Sequence, residues 1–428
     1  MVVRHYSLIF GYLSIAPCIL YWNRTRRGIG VNFSVTFIFA IIGVMILLDA
    51  LWWMVFVRLT SRRIARVIVS AFMMAMVVGL LWVVAARMSE TNWDRLIPKF
   101  GVSAIFIWHF VCLGLLELLA LVLIPILAAV RLTRRRTAAK PDRAESPDWS
   151  RRDFLRFAGA MVPPVFTFGL TGVAIAQLNN VRVRRFELPI PDLPAQLDGI
   201  TIAQVSDIHV GRFTNGKVLQ ETLRLVNEMR ADLVLLTGDL INDALADLDT
   251  GLELTRAMEP RVGLAIIEGN HDLIENPREF ERRVKTSGIP FLLDESMIIN
   301  VRGFPVQLLG LSWTRVRGNG RDAAIASAVQ KLLRERQADA FPILLAHHPH
   351  AFDAAAAAEV PLTLAGHTHG GQLMLNEQLG FGPALFRYWS GLYTRGRSKL
   401  IVSNGVGNWF PLRVNAPAEI IHITLRHA

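Results

Sequence analysis

Four apolar stretches crowd into the first 130 residues, and no other feature limits the fold of this chain as much. They run roughly Tyr6–Trp22, Phe33–Val57, Val67–Ala86 and Val102–Val130. A helix needs about 20 apolar residues to cross a hydrocarbon core of ~30 Å, so three of them are long enough and the first is marginal. None shows a polar face, which argues against the helices of a water-soluble bundle. Residues 1–130 are therefore expected to form an all-α transmembrane domain of about four spans, in a chain of 428 residues with room for two or three domains.

The charge follows the same division. Residues 1–177 hold 20 Lys+Arg against 8 Asp+Glu, a surplus of 12, whereas residues 178–428 hold 26 against 27. The basicity thus flanks apolar segments, and the polar half lacks the cationic surplus that polyanion binding uses, so nucleic acid is not an expected partner. Cys18 and Cys112 are the two cysteines, both inside apolar segments, and no disulfide framework is implied.

Arginines set the expected orientation. Arg58, Arg62, Arg63 and Arg66 follow the second stretch, and Arg131, Arg134, Arg135, Arg136, Lys140 and Arg143 follow the fourth. If both groups are cytoplasmic, the N-terminus with Arg4 is too, although Arg24, Arg26 and Arg27 in the first loop break the trend. Residues 131–156 form a basic linker ending in Ser150-Arg151-Arg152-Asp153-Phe154-Leu155-Arg156. The uncharged segment 157–177 follows and closes on Ala174-Ile175-Ala176. This pattern resembles a twin-arginine export signal at an unusual interior position, and an ordinary fifth span reads equally naturally. Either way residues 178–428 are expected outside the cytoplasm, giving a multi-pass protein of a bacterial inner membrane. Asp49, His109 and Glu117 lie within the spans, where ionisable groups either pair inside the bundle or serve a pathway.

The polar half reads as α/β. Short apolar runs at 200–205, 233–236, 264–267, 343–346 and 362–365 fit strands buried on both faces, with further strands at 183–188, 297–301, 306–311, 400–402 and 420–425. Amphipathic helices are expected over 216–229 and 322–336.

Directly after the first five runs come five polar clusters. They are Ser206-Asp207-Ile208-His209, Thr237-Gly238-Asp239, Gly269-Asn270-His271-Asp272, His347-His348-Pro349 and Gly366-His367-Thr368-His369-Gly370. In open α/β sheets the carboxyl edge of the strands is where ligands bind, so the clusters are positioned to converge. Oxygen and imidazole donors without cysteine suit divalent ions such as Mn, Fe or Zn. Asp207 and His209 can reach one ion, Asp239 can bridge two, Asn270 adds a neutral oxygen, and His347, His367 and His369 add imidazoles. Seven of the eleven histidines fall in four of these turns, which is a poor match to scattered core histidines.

These motifs, in this order, resemble the calcineurin-like metallophosphoesterase superfamily over residues 195–428. The ending Gly366-His367-Thr368-His369-Gly370-Gly371-Gln372, with Ser403–Gly407 and Pro411-Leu412-Arg413 beyond it, is similar to its bacterial membrane-associated YkuE/YaeI-like branch. The resemblance implies a four-layer αββα domain over 178–428. It implies Asp207, His209 and His369 on a first metal, Asn270, His347 and His367 on a second, and Asp239 bridging; His348 is the local rival of His347. His271 would be the non-ligand histidine facing the substrate, with Asp272 as its orienting partner. Two cations ~3.5–4 Å apart neutralise phosphoryl oxygens and bring water toward ionisation at neutral pH, so attack of a metal-activated hydroxide on phosphorus is the expected chemistry.

The expected function is a membrane-tethered phosphoesterase acting on phosphorylated small molecules or on lipid-linked and envelope esters. The alternative is a membrane sensor or transporter whose outer domain binds a phosphorylated ligand. Arg212, Arg395, Arg397 and Arg413 are arginines for phosphate contact, since guanidinium forks suit that task. Trp313, Tyr388, Trp389, Trp409 and Phe410 are aromatics for an apolar groove, a membrane interface or plain packing.

Overall fold

A computed structural model describes residues 31–60, 63–88, 96–134, 151–316 and 318–428. The first apolar stretch and most of the basic linker lie outside the described residues. The chain divides at Val173/Ala174, inside its last long helix, into a helical unit and a C-terminal sheet unit.

In the helical unit α1 spans Val31–Leu59 and α2 spans Arg63–Met88. A continuous helix follows: α3, Lys99–Phe106, a π-helical segment Ile107–Cys112, and α4, Leu113–Arg134. The last helix, α5, runs Arg151–Gln177. By length and composition four helical stretches can cross a membrane: Phe39–Leu59, Arg63–Ala86, Lys99–Val130 and Asp153–Gln177. Most of their apolar surface faces outward, as lipid-facing helices require, and the polar groups turn inward. Asp49 accepts from Trp108 Nε1 at 2.7 Å and lies 3.1 Å from His109 Nε2, while His109 Nδ1 meets the Ile105 carbonyl at 2.7 Å. Glu117 accepts from Trp52 Nε1 at 2.8 Å. All three intramembrane ionisable residues therefore have partners within this unit.

The C-terminal unit holds two large mixed sheets. Strands β1 (Arg182–Ile190), β2 (Thr201–Val205), β3 (Leu233–Thr237), β4 (Gly263–Ile267) and β13 (Glu419–His427) form one, in the order β1-β13-β2-β3-β4. Strands β5 (Glu295–Val301), β6 (Phe304–Leu311), β7 (Phe341–Ala346), β8 (Leu362–Ala365), β11 (Gly391–Arg395) and β12 (Ser398–Val402) form the other, ordered β11-β12-β8-β7-β6-β5. A small hairpin, β9 (Met374–Asn376) with β10 (Leu379–Gly380), stands apart from both.

Strand alternation explains the layering. Ile202, Leu233, Leu235, Ala265 and Ile267 point from the first sheet into one core that Leu308, Ile343, Leu345, Leu362 and Leu364 fill from the second. Their neighbours Ala203, Val205, Val234, Leu236 and Ile266 face outward, under α6 (Lys217–Met229), α7 (Leu248–Arg256) and α8 (Pro277–Lys285). On the far side Leu309, Leu344 and Ala346 pack against α9 (Arg321–Leu332) and α10 (Ala351–Ala357). Both sheets are thus buried on both faces, the four-layer αββα arrangement, and this is why their strands read as continuous apolar runs. Gln204 is the polar exception inside the sandwich: its Nε2 donates to the Ala365 carbonyl at 2.9 Å and so ties the two sheets together beside the strand ends.

Candidate metal centre

Five loops leave β2, β3, β4, β7 and β8 at their carboxyl ends and bring the polar clusters together. Asp207, His209, Asp239, His367 and His369 all adopt left-handed backbone, with φ of 50°, 48°, 55°, 75° and 50°. Such conformations cost on the order of 1–3 kcal/mol each for non-glycine residues and persist where surrounding bonds over-determine them. Here the first two loops continue the sheet pairing past the strands, with Asp207 N–H on the Gly238 carbonyl and His209 N–H on the Asp239 carbonyl, both at 3.0 Å. The loop after β12 closes over the other side: Val406 N–H donates to the Ser206 carbonyl and Gly407 N–H to that of Asp207. A Cβ on Gly407 would lie 1.7 Å from the Ile208 carbonyl oxygen, so only glycine allows this closure.

The donor atoms converge on two carboxylates. Asp239 Oδ2 lies 3.0 Å from His347 Nε2 and 3.5 Å from His209 Nε2. Asp207 Oδ1 lies 3.4 Å from His369 Nε2 and 3.9 Å from the Nε2 atoms of both His209 and His347. Three sets have ligand atoms within 4.8 Å of one another: Asp207 with His209 and His369, Asp239 with His347 and His367, and His209 with Asp239 and His271. His347, rather than His348, is the residue that reaches Asp239.

These residues fit a divalent centre on their own chemistry. His209 and His369 bring Nε2 to Nε2 at 3.0 Å, with donor and acceptor set by the tautomers, and His209 Nδ1 is buried with no hydrogen-bond partner among the described residues. Asn270 Oδ1 is buried with no hydrogen-bond partner among the described residues. His347 Nδ1 donates to the Thr237 carbonyl at 2.7 Å, which fixes the tautomer that leaves Nε2 free to ligate.

Burial dominates the electrostatics of the cavity. Burial pushes Asp207 up to about 6, against the pull of His347. Burial also opposes ionisation of Asp239, yet His347 and His271 outweigh it and hold that carboxyl below its ordinary value. His347 itself is raised to about 9, because Asp239 and Asp207 overcome the opposing effect of burial. His209, His367 and His369 are held well below the ordinary imidazole value, first by burial and then by neighbouring cationic groups. Neutral His209, His367 and His369 each keep a lone pair for a divalent ion, and Asp207 and Asp239 supply the carboxylates.

Two expectations change. Asp272 does not orient His271: its carboxylate accepts the backbone N–H groups of Asp239, Gly269 and Ile241 at 2.9, 2.8 and 3.0 Å, locking two metal loops together. His271 is oriented instead by the Asn242 carbonyl, 2.7 Å from Nδ1, and by its own N–H on Asp239 Oδ1 at 2.7 Å. Arg413 has no donor left for a phosphate. It is fully buried and gives Nε to Asn408 Oδ1, one terminal nitrogen to the carbonyls of Asn404 and Ala416, and the other to Gly405, Gly407 and His369 Nδ1. It braces the loop that closes over Asp207.

Arg212 stacks its guanidinium over Phe213 at 4.8 Å, and Arg395 and Arg397 pair with Asp353 and Asp192. Trp313 lies 5.0 Å from His367 and 5.5 Å from His347, and Trp409 lies 5.9 Å from His271. Tyr388 is occupied in packing on Phe352 and Tyr393 and in a bond to Asp353. The Asn242 and Thr237 carbonyls carried no sequence signal, since any residue supplies a carbonyl.

A four-layer α/β domain with acids, an amide and imidazoles at its strand ends defines a metal-binding phosphoesterase type of protein. Residues 200–371 match the family described as Calcineurin-like phosphoesterase, and the C-terminal domain is similar to its YkuE- and YaeI-named members. Relatives include a transmembrane protein with metallophosphoesterase domain from Danio rerio, 29% identical over 56% of this chain and 56% of its own length. The uncharacterized metallophosphoesterase YkuE of Bacillus subtilis is 29% identical over 65% of this chain and 98% of its own. The phosphodiesterase YaeI of Escherichia coli is 26% identical over 50% of this chain and 77% of its own. The chain thus spans little more than half the length of the Danio rerio relative.

Proposed function

We propose that the protein is a membrane-tethered, dinuclear metal-dependent phosphoesterase. The observation that carries this reading is the convergence of Asp207, Asp239 and four imidazoles, with an unpartnered Asn270 oxygen, at one sheet edge. Asp207, His209 and His369 would hold one ion, Asn270, His347 and His367 the other, and Asp239 would serve both; Mn, Fe and Zn all accept such ligands. Bound there, the ions supply Lewis acidity toward the phosphoryl oxygens and an activated water.

The chain's own groups do the rest. His271 has Nδ1 on the Asn242 carbonyl, so Nε2 is the atom left to face the ester and deliver a proton to the leaving oxygen. Asp272 keeps the loops of Asp239 and Asn270 in register. Arg413 braces the loop that closes over Asp207, and Arg212, beside the first ligands, is the arginine proposed for phosphate contact. The −1 balance of residues 178–428 favours small or lipid-linked phosphoesters over nucleic acid. Arg58, Arg63, Arg66 and Arg151 at helix ends support a multi-pass protein of the bacterial inner membrane with residues 178–428 outside the cytoplasm.

The test is elemental analysis of the purified full chain together with assays on monoesters, diesters and pyrophosphates. Two ions per chain and hydrolysis of at least one class are expected. A metal-loaded chain that cleaves none of them would instead favour a sensor or transporter.

A further inference from the structure

One loop, residues 404–415, fastens the metal cleft to the end of the last span. Gln177 closes α5, and its Oε1 accepts the Asn415 N–H at 2.8 Å. The Leu178 carbonyl accepts Asn408 Nδ2 at 3.1 Å, and Asn408 Oδ1 holds Arg413, whose guanidinium touches His369. The same loop grips the β9–β10 hairpin: Asn415 Nδ2 donates to the carbonyls of Met374 and Leu375 at 3.0 and 3.2 Å. The hairpin follows His369 by only a few residues.

This hairpin is apolar where it is most exposed. Leu375 is 75% exposed and Leu379 57% exposed. Asn376 Oδ1 closes the turn by accepting the N–H groups of Gln378 and Leu379, both at 2.9 Å, and Trp389 Nε1 reaches the Glu377 carbonyl at 3.3 Å. Two exposed leucines are unremarkable on a soluble surface. Here they are fixed two hydrogen bonds from the terminus of a membrane-crossing helix and are backed by a tryptophan, the residue types that settle at a lipid interface.

We propose that the β9–β10 hairpin docks on the bilayer surface beside the end of α5, so that the cleft takes amphiphilic phosphoesters directly from the lipid layer. The uptake part rests on the phosphoesterase reading; the docking part does not. Leu375 and Leu379 would enter the acyl boundary, while Glu377 and Gln378 stay among the headgroups. Trp409, beside His271 and next to Asn408, offers the apolar wall along which a lipid tail would lie.

The full chain in phosphatidylethanolamine–phosphatidylglycerol vesicles provides the test. With Cys18 and Cys112 changed to Ser, Gln378→Cys carries a nitrobenzoxadiazole label, and Asp339→Cys, before the amino end of β7, is the control. Blue-shifted emission and quenching by headgroup spin-labelled lipid are expected at 378 and not at 339. A water-exposed label at 378 overturns the docking, whatever the enzyme hydrolyses. Uptake is read with Leu375→Asp/Leu379→Asp on matched esters: phenyl phosphate and phosphatidic acid, bis(4-nitrophenyl) phosphate and phosphatidylglycerol. Soluble esters should be cleaved within twofold of the unaltered rate and the matching lipid ester at least tenfold more slowly. Equal rates on the lipid, or no cleavage of either lipid by the unaltered chain, overturn uptake. An inserted label with no ester cleaved at all supports docking and removes the phosphoesterase reading instead.

Discussion

His347 meets two opposed demands: burial favours its neutral form, and the carboxylates of Asp239 and Asp207 favour the imidazolium, which wins up to a pH of about 9. In the metal-free protein that charge stabilises the fold below the ordinary imidazole value of about 6.5 and is lost as the pH rises through about 9. His209, His348, His367 and His369 behave in the opposite sense. Held neutral, they favour the fold above about 6.5 and destabilise it as the pH falls below, when the unfolded chain takes up protons. Thermal melts of chelator-treated protein should therefore peak near neutrality and decline on both sides. Since a ligand imidazole must be neutral, loading metal at pH 7.5 should release at least about one proton per chain, measurable by calorimetry in buffers of different ionisation enthalpy. Release of none would remove His347 from the ligand set. His271→Ala should lower turnover at least ~10-fold with metal content unchanged, as expected for loss of a proton donor. Unchanged turnover would remove it from the chemistry. At this scale the sequence was legible where chemistry is confined to a side chain: Asp207, Asp239, Asn270 and the histidines stand in recognisable turns. It named Asp272 and Arg413 for other roles and did not find the backbone groups they satisfy, because backbone contacts are written in the fold and not in residue type.

Among elements, the strands were readable because burial on both faces leaves continuous apolar runs, and β2, β3, β4, β7 and β8 begin and end within a few residues of those runs. The short helices α7, α8 and α10 and the β9–β10 hairpin were not read from the sequence, although Asn276 before Pro277 is a legible start signal for α8. The π-helical segment Ile107–Cys112 was equally hidden, yet it has a clear consequence. Adjacent residues of a regular helix do not face one partner, but Trp108 and His109 both reach Asp49, and a locally widened turn permits it. Asp49→Leu would strand both groups in an apolar setting. A loss of about 1–2 kcal/mol is expected for such a bond network within a membrane, seen as a lower unfolding temperature of the full chain in detergent. Turnover on a soluble ester should stay within twofold. Asp49→Asn, which can still accept from Trp108, should lose less. An unchanged melt for Asp49→Leu would mean the pair adds nothing to the bundle.

For the molecule as a whole, the last residues of α5 group with the C-terminal unit, which begins at Ala174. Gln177 and Leu178 each accept a bond from the loop that braces Asp207 and His369 through Arg413. A fragment of residues 180–428 discards both acceptors and leaves the Asn408 amide and the Asn415 N–H without their partners, at about 0.5–1.5 kcal/mol for each bond. A fragment of residues 174–428 keeps them. If the loop is seated by the end of α5, the longer fragment should melt at a higher temperature, by several degrees for a domain of this size. It should also retain metal against a chelator for longer, while both fragments hydrolyse soluble esters once metal is in excess. The sensor or transporter alternative fails this comparison in a recognisable way, because neither fragment would act without the spans. Identical melting and metal retention would show that the loop closes unaided, and that the link from helix end to metal cleft has no part in holding the site together.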